Sequence, residues 1–372
     1  MYIYFKILFN YMLNGEKTII GAGLAGLSAA SILSNNGVKV NLIERGPSVG
    51  ELRGQDFQVV RNYGNDLNFL DSLSEYGINI NHKQPIRKIV KYAPSGKSME
   101  VSSDNGPLFY AIKRGHDEFS LDRQLCDSLN KKNVEFEFDR NANISGDIIA
   151  TGPILRNISG FGYTFDGIDV DPEKILLFMD NDYAPKGYIY LAPYGKHSAS
   201  IAAVSFDLSY NLKMLLDRFL EKNKVVSEII KNYKNKESFS GYAYSNFPET
   251  AKIAGKLFVG SAAGFVEAAR GFGVKYSIMS GILAAKSILG NLDYDQLWKE
   301  SFGGELKENL NRHFLLSSLN NKGYEKLLLG EKIGIGQYEK IPESVSSFLK
   351  HIIFSKELKA WQQQYSLEKI FK

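Results

Sequence analysis

The run Thr18-Ile-Ile-Gly21-Ala22-Gly23-Leu-Ala25-Gly26-Leu-Ser28 sets spaced glycines between a short apolar strand and a helix rich in Ala and Leu. This spacing can build a phosphate cradle. Gly21 allows a tight turn, Gly23 lets backbone approach a pyrophosphate, and Gly26 lets the helix pack closely on the strand. A second strand, Val38 to Ile43, ends at Glu44, 18 positions beyond Gly26 (44 − 26). A carboxylate there is placed to meet a ribose hydroxyl. The implied chemistry is dinucleotide binding. A second strand, cradle and helix follow late in the chain: Leu257 to Phe265, then Arg270-Gly271-Phe272-Gly273, then a helix from Tyr276. Two recognition ends suit a long cofactor better than a short one.

The elements that must position these residues follow from periodicity and turn signals. The first βαβ unit spans about Glu16 to Glu44. Short strands are expected at Asp56 to Arg61, Ile86 to Tyr92 and Ser98 to Ser102, within a small β insertion at about 54–110. Ser120 to Lys132 reads as a capped helix and Val134 to Phe138 as a strand. Asp147 to Gly152 reads as a buried strand ending in a small-residue turn. Residues 160–206 look all-β, and Leu212 to Lys231 looks helical. Ala254 to Gly260 reads as a further strand, and the chain is mostly amphipathic helix from Asp293 onward. The expected organisation is α/β (α+β overall). A Rossmann-like dinucleotide domain, 12–153 and 251–290, is interrupted by an antiparallel-sheet substrate domain, 154–250, and followed by a helical region, 291–372.

The bulk properties exclude several classes. The net charge of +4 over 372 residues is too small to argue for nucleic acid. The one cysteine, Cys126, excludes an internal disulfide and any CxxC motif, and no metal site is expected. Met1 to Leu13 is too short to span a bilayer. Met12 stands just before the first strand, so residues 1–11 are read either as an upstream start or as a short membrane-surface anchor.

Four blocks together resemble the geranylgeranyl reductase family of FAD-dependent flavoproteins, and in particular its archaeal branch acting on digeranylgeranylglycerophospholipids. They are Gly21 to Gly26 with Glu44; Leu121-Asp-Arg123-Gln-Leu-Cys-Asp-Ser-Leu129; Asp147-Ile-Ile-Ala-Thr-Gly152; and Gly260-Ser261-Ala-Ala-Gly-Phe265 with Gly271 to Gly273. Between the last two, Pro185-Lys-Gly-Tyr188-Ile-Tyr190-Leu-Ala-Pro193 is similar to the family's substrate-side motif. The resemblance implies FAD held by Gly21, Ala22, Gly23, Ala25, Gly26, Glu44, Arg45, Arg123, Gly152, Gly260, Ser261, Gly271, Phe272 and Gly273. It implies Tyr188 and Tyr190 as the catalytic pair lining an isoprenoid pocket. The chain departs from the pattern where Ser261 replaces an aspartate, where Glu267-Ala-Ala-Arg270 replaces the usual proline ahead of the Gly-x-Gly loop, and where Tyr190 and Ala192 replace Trp and Phe.

The implied reaction saturates C=C bonds of geranylgeranyl chains, with electrons from NAD(P)H or a small redox protein. Two rivals share the domain plan: a flavin monooxygenase of the aromatic-hydroxylase type, and a flavin- or lipid-binding protein without catalysis. A polyprenyl lipid substrate implies a cytoplasmic protein with peripheral contact at the inner membrane face. The run Phe348 to Trp361 is read either as an interfacial helix or as one packed on its own domain.

Overall fold

The computed structural model describes residues 15–51, 56–142, 144–329 and 355–368. Residues 1–11, Arg53, Gly54, and Ile352 to Phe354 of the C-terminal run lie outside them.

The dinucleotide-type unit is a six-stranded sheet in the order β15-β16-β9-β1-β2-β8. Its strands are β1 (Lys17–Ile20), β2 (Val40–Ile43), β8 (Val134–Glu137), β9 (Ile148–Ile149), β15 (Lys252–Ile253) and β16 (Lys256–Phe258). All pairings are parallel except β15 with β16, which form a hairpin. The sequence suggested one strand over Ala254 to Gly260. The chain instead reverses at Ala254 and Gly255, both at positive φ. Helix α1 (Leu24–Asn35) follows β1, and the long helix α5 (Val274–Gly290) packs against it. Their approach is very close, because a Cβ at Gly281 would lie 2.1 Å from the Ala25 carbonyl oxygen.

A seven-stranded sheet runs in the order β14-β10-β13-β12-β11-β5-β6. It comprises β5 (Lys88–Tyr92), β6 (Ser98–Ser102), β10 (Ile158–Asp166), β11 (Lys174–Phe178), β12 (Gly187–Pro193), β13 (Ser198–Ser205) and β14 (Asn235–Ala243). Successive side chains alternate between its faces. Phe165, Leu176, Phe178, Ile189, Leu191 and Ile201 point to one face and form a core with helix α3 (Leu212–Lys222). Ile175, Leu177, Tyr188, Tyr190, Ala202 and Val204 point to the other. The segment 54–110 divides between sheets. Strands β5 and β6 join the seven-stranded sheet, while β3 (Phe57–Arg61), β4 (Gln84–Ile86) and β7 (Phe109–Lys113) form a separate three-stranded one. The helix expected over Leu212 to Lys231 breaks at Asn223, whose extended backbone and side chain cap a second helix, α4 (Lys224–Ile230).

Helix α2 (Leu121–Asp127) is capped by the Ser120 hydroxyl and ends five residues short of Lys132, the last residue of the expected helix (132 − 127). Beyond α5 the chain continues through α6 (Tyr294–Trp298), α7 (Gly304–Ser317), α8 (Asn321–Leu329) and α9 (Ser355–Gln364). In α9, Leu358 is buried and the Trp361 indole donates to the Ser245 carbonyl, so these residues face the protein. Among the described residues, no helix is long and apolar enough to cross a membrane.

His313 on α7 is buried among Phe206, Phe314 and Trp361. Burial pulls its pKa down to about 4, despite a backbone hydrogen bond at Ala268 that opposes the shift. The folded protein therefore holds His313 neutral, while the unfolded chain protonates it near pH 6.5. Stability from this group is complete above pH 6.5 and is lost as pH falls toward 4, by about 3 kcal/mol. Urea unfolding of wild type and His313→Gln at pH 7 and pH 4 should show that share of the acid loss in wild type only.

Candidate functional site

The two cradles open into one cavity of about 1210 Å³. At the first, Gly21 has φ +104°, and a Cβ there would lie 2.3 Å from the Ala150 carbonyl oxygen. Gly26 presses on the same turn, because its Cβ would fall 1.9 Å from the Gly21 carbonyl oxygen. Gly23 is different: nothing lies within 4 Å of its would-be Cβ. The space above Gly23 is left open, which is what a pyrophosphate approaching backbone requires. The first intrahelical bond of α1 runs from Leu27 N–H to the Gly23 carbonyl, so the amides of residues 24–26 have no helical partner. No side chain caps this N-terminus. Uncapped amides and the positive end of the helix dipole favour an anion.

Glu44 stands at the end of β2, beside this cradle. Its carboxylate accepts from the Ala22 N–H at 2.7 Å and from the Gly46 N–H at 2.9 Å. These bonds fix its orientation at the cavity wall. Ala22, Ala25, Glu44, Arg45 and Gly152 all line the cavity with Gly21 and Gly23.

The second cradle is held differently. Gly271, at φ +75°, Phe272 and Gly273 line the cavity, and Gly273 starts α5 with no side-chain cap. The first helical bond is Ser277 N–H to the Gly273 carbonyl, which leaves the amides of residues 274–276 without helical partners. The loop is closed on itself by Gly271 N–H to the Glu267 carbonyl and by Glu267 N–H to the Phe272 carbonyl. Tyr188 pins it from the sheet side, its hydroxyl donating to the Arg270 carbonyl. Burial, followed by the Glu267 charge, raises the Tyr188 pKa far above that of a free phenol. The hydroxyl therefore stays protonated, with its proton committed to the loop. Tyr190 stands beside it, ring centroids 6.2 Å apart.

Beneath the loop lies an ion network that the sequence did not reveal. The Glu267 carboxylate is 1% exposed and is bonded to Arg270 at 2.7 Å, with Arg61 at 4.0 Å. Arg61 also holds Asp66 and Glu305, and Lys275 bridges the same two carboxylates. Burial would lower the Arg61 pKa, but Glu267, Asp66 and Glu305 overcome it and raise the pKa. Glu267 and Arg270 occupy the stretch where the family pattern has proline. Charge pairing here does the fixing that a rigid ring would do.

Three expected site residues do not line the cavity. Gly26 and Gly260 stand behind it; a Cβ on Gly260 would meet Ala25 and Ser277 at 3.1 Å. Arg123 is also absent from the lining. Its neighbour Asp122 lines the cavity instead, in a buried two-point pair with Arg114 at 2.7 and 2.8 Å. The offset is one helical residue, about 100° of rotation. Ser261 lines the cavity, and its hydroxyl makes no hydrogen bond within the described residues.

Away from the cradles the cavity becomes a trough across the open face of the seven-stranded sheet. From β14 to β6 it is lined by Gly241, Gly160, Val204, Tyr188, Leu177, Ile89 and Val101. Six strand spacings separate the outer strands, so the trough is roughly 29 Å wide. Tyr188 lies on β12, the middle strand of the order. Among the described residues, no group of His, Cys, Asp and Glu could hold a metal ion.

Residues 19–92 match the family model of the NAD(P)-binding Rossmann-like domain. A digeranylgeranylglycerophospholipid reductase of Picrophilus torridus is 25% identical, over 85% of this chain and 90% of the relative. Another protein of that name, from Methanocaldococcus jannaschii, is 23% identical over 92% of this chain and 95% of its own. The solved structure of a geranylgeranyl bacteriochlorophyll reductase-like protein from Thermoplasma acidophilum has TM-score 0.70 and 22% identity, covering 93% of this chain and 100% of that one. The chain is thus related over most of its length to archaeal digeranylgeranylglycerophospholipid reductases, and the resemblance read from its motifs holds.

Gly23 at the start of α1 gives a direct test. Gly23→Val should cost only about 1 kcal/mol through its cap position, and it should weaken dinucleotide binding more than tenfold by filling the open space. Thermal unfolding and cofactor titration check this. A Gly23→Val protein that keeps wild-type affinity would show that the cradle is not the anion seat.

Proposed function

We propose, from that kinship and from the trough, that the protein is an FAD-dependent oxidoreductase that saturates C=C bonds in geranylgeranyl chains of archaeal-type membrane lipids. The observation that carries this reading is the trough. An apolar channel roughly 29 Å across passes the flavin-facing loop at its middle strand. A long, thin, apolar chain fits such a channel; a compact aromatic ring leaves most of it empty. The volume of about 1210 Å³ exceeds the usual 300–1,000 Å³ of a single-ligand pocket, which supports a cofactor and a second ligand together.

The residues fit FAD. Gly21 to Ala25 would hold the pyrophosphate and Glu44 the adenosine ribose. Ser261 would offer a hydroxyl along the cofactor's length, where the family carries a carboxylate. When bound and reduced, the flavin supplies the hydride equivalent, and its electrons come from NAD(P)H or a small redox protein. The chain's own residues do the rest. The amides at Gly271 to Gly273 and the start of α5 present a fixed positive field toward the cavity, suited to stabilising negative charge. Tyr188 holds that loop in place through the Arg270 carbonyl. It acts as a positioning residue and as an aromatic wall, since its proton is already engaged. Tyr190 extends the wall, and aromatic faces stabilise cationic character on an alkene. The apolar sheet face excludes water.

The solved structure of a flavin-dependent brominase is also similar in fold, with TM-score 0.58 and 14% identity over 84% of this chain and 90% of that one. The fold therefore does not by itself choose a reaction. Product mass does. Flavin-loaded protein reduced with dithionite and incubated with an unsaturated archaeal-type lipid should add two hydrogens per double bond. Gain of one oxygen in the presence of air would identify a hydroxylase. A protein that takes up no flavin would overturn both readings.

A further inference from the structure

We infer that Phe239 on β14 ends the polyprenyl chain's path along the trough and so sets the chain length that the protein accepts. The inference rests on the reading above and adds the seat of the lipid's apolar end.

Strand register lays one row of residues across the trough face. Phe239 on β14 pairs with Gly162 on β10, and the row continues through Ala202 on β13, Tyr190 on β12, Leu177 on β11 and Lys91 on β5. All of these line the cavity except Gly162. The Phe239 ring covers it: a Cβ on Gly162 would fall 2.4 Å from the ring's Cζ. Gly162 does not have a positive φ, so backbone conformation does not require glycine there. Its missing side chain instead makes room for this ring, a common use of glycine inside a strand. The half-buried ring therefore reaches inward from the edge strand and stands over β10 as a step in the floor.

The neighbouring row is roofed. It runs from Tyr188 through Val204 to Gly160 and Gly241. Gly271 packs above its first two members, with a would-be Cβ 3.9 Å from both the Tyr188 hydroxyl and the Val204 side chain. Space that a single methyl group would fill does not admit a polyprenyl chain. The chain therefore lies over Tyr190 and Ala202 and meets the Phe239 ring. Polarity agrees. Every cavity-lining residue that β10, β13 and β14 present on this face is uncharged, and the row bears its one charged residue, Lys91, at the other end. A fixed stop also registers the chain, because the double bond brought beside the Gly271 loop is then counted from the apolar end. Removing the ring frees the floor over β10, one strand spacing or roughly 5 Å. That is about the length which one further isoprene unit adds.

The test uses flavin-loaded full-length protein: wild type, Phe239→Ala, Phe239→Leu and Gly241→Val, each checked for equal flavin content. Position 241 accepts a side chain, since nothing lies within 4 Å of a Cβ there. Equilibrium dialysis gives Kd for three uncharged alcohols, farnesol, geranylgeraniol and the one-unit-longer geranylfarnesol. Saturation of each with dithionite is then followed by product mass. Wild type should favour geranylgeraniol over geranylfarnesol. In Phe239→Ala the ratio of those two Kd values should move toward the longer alcohol by about tenfold, the discrimination expected of a small change in an apolar pocket. Phe239→Leu should move it part of the way, and Gly241→Val should keep the wild-type ratio. Farnesol, which ends short of the ring, should bind all four proteins alike. An unaltered ratio in Phe239→Ala, or equal weakening toward all three alcohols, overturns the assignment. So does a shift in Gly241→Val with none in Phe239→Ala, which would run the chain over the glycine pair. A Kd ratio that moves with Phe239 in a protein that saturates none of the alcohols would leave the stop standing and overturn the reductase reading instead.

Discussion

The Glu267 carboxylate is the constraint on which the site depends. It is 1% exposed and sits under the Gly271 to Gly273 loop, which lines the cavity. An uncompensated charge at such depth costs several kcal/mol. The fold compensates it by bringing Arg270 from the same loop and Arg61 from β3 to its two sides. Each cation is then drawn into further bonds: Arg61 to Asp66 and Glu305, and Lys275 between those same two acids. Elements far apart in the chain, β3, the loop, α5 and the start of α7, are thereby locked to one geometry. The loop amides gain a fixed direction from this network.

The seven-stranded sheet imposes the second condition. Its strands alternate, so one face could be buried under α3 only if the other was left to different side chains. That other face combines small residues, Gly160 and Ala202, with apolar ones, Leu177 and Val204, and the two tyrosines of β12. The small residues leave depth, and the aromatic residues at the middle strand give a wall. Tyr188 belongs to both systems: its ring lines the trough and its hydroxyl ties the sheet to the loop. That hydrogen bond joins the Gly271 loop to the trough.

What the sequence revealed followed the range of each constraint. Gly21 needs a positive φ, and Gly26 must pass close to the turn; both are local demands, and the spacing displays them. Tyr188 and Tyr190, two apart on a strand, share a face by pleat alone. The strands of 54–110 were visible too, but not that β5 and β6 cross to the larger sheet, because pairing partners such as Ile175 and Ile89 are distant in sequence. Arg114 with Asp122 was missed by one residue of helical phase, with Arg123 chosen in place of its neighbour. The Glu267 network was invisible for a similar reason: Glu267-Ala-Ala-Arg270 read as a missing proline, and nothing nearby signals that Arg61 and Lys275 complete it.

The central claim is that the cofactor's electrons leave through the trough into an alkene. Anaerobic mixing of the reduced flavoprotein with a geranylgeranyl lipid, followed through flavin absorbance, tests it directly. The account requires that the lipid alone reoxidise the flavin, at a rate that rises with lipid concentration and saturates. Flavin that stays reduced until oxygen is admitted would contradict it.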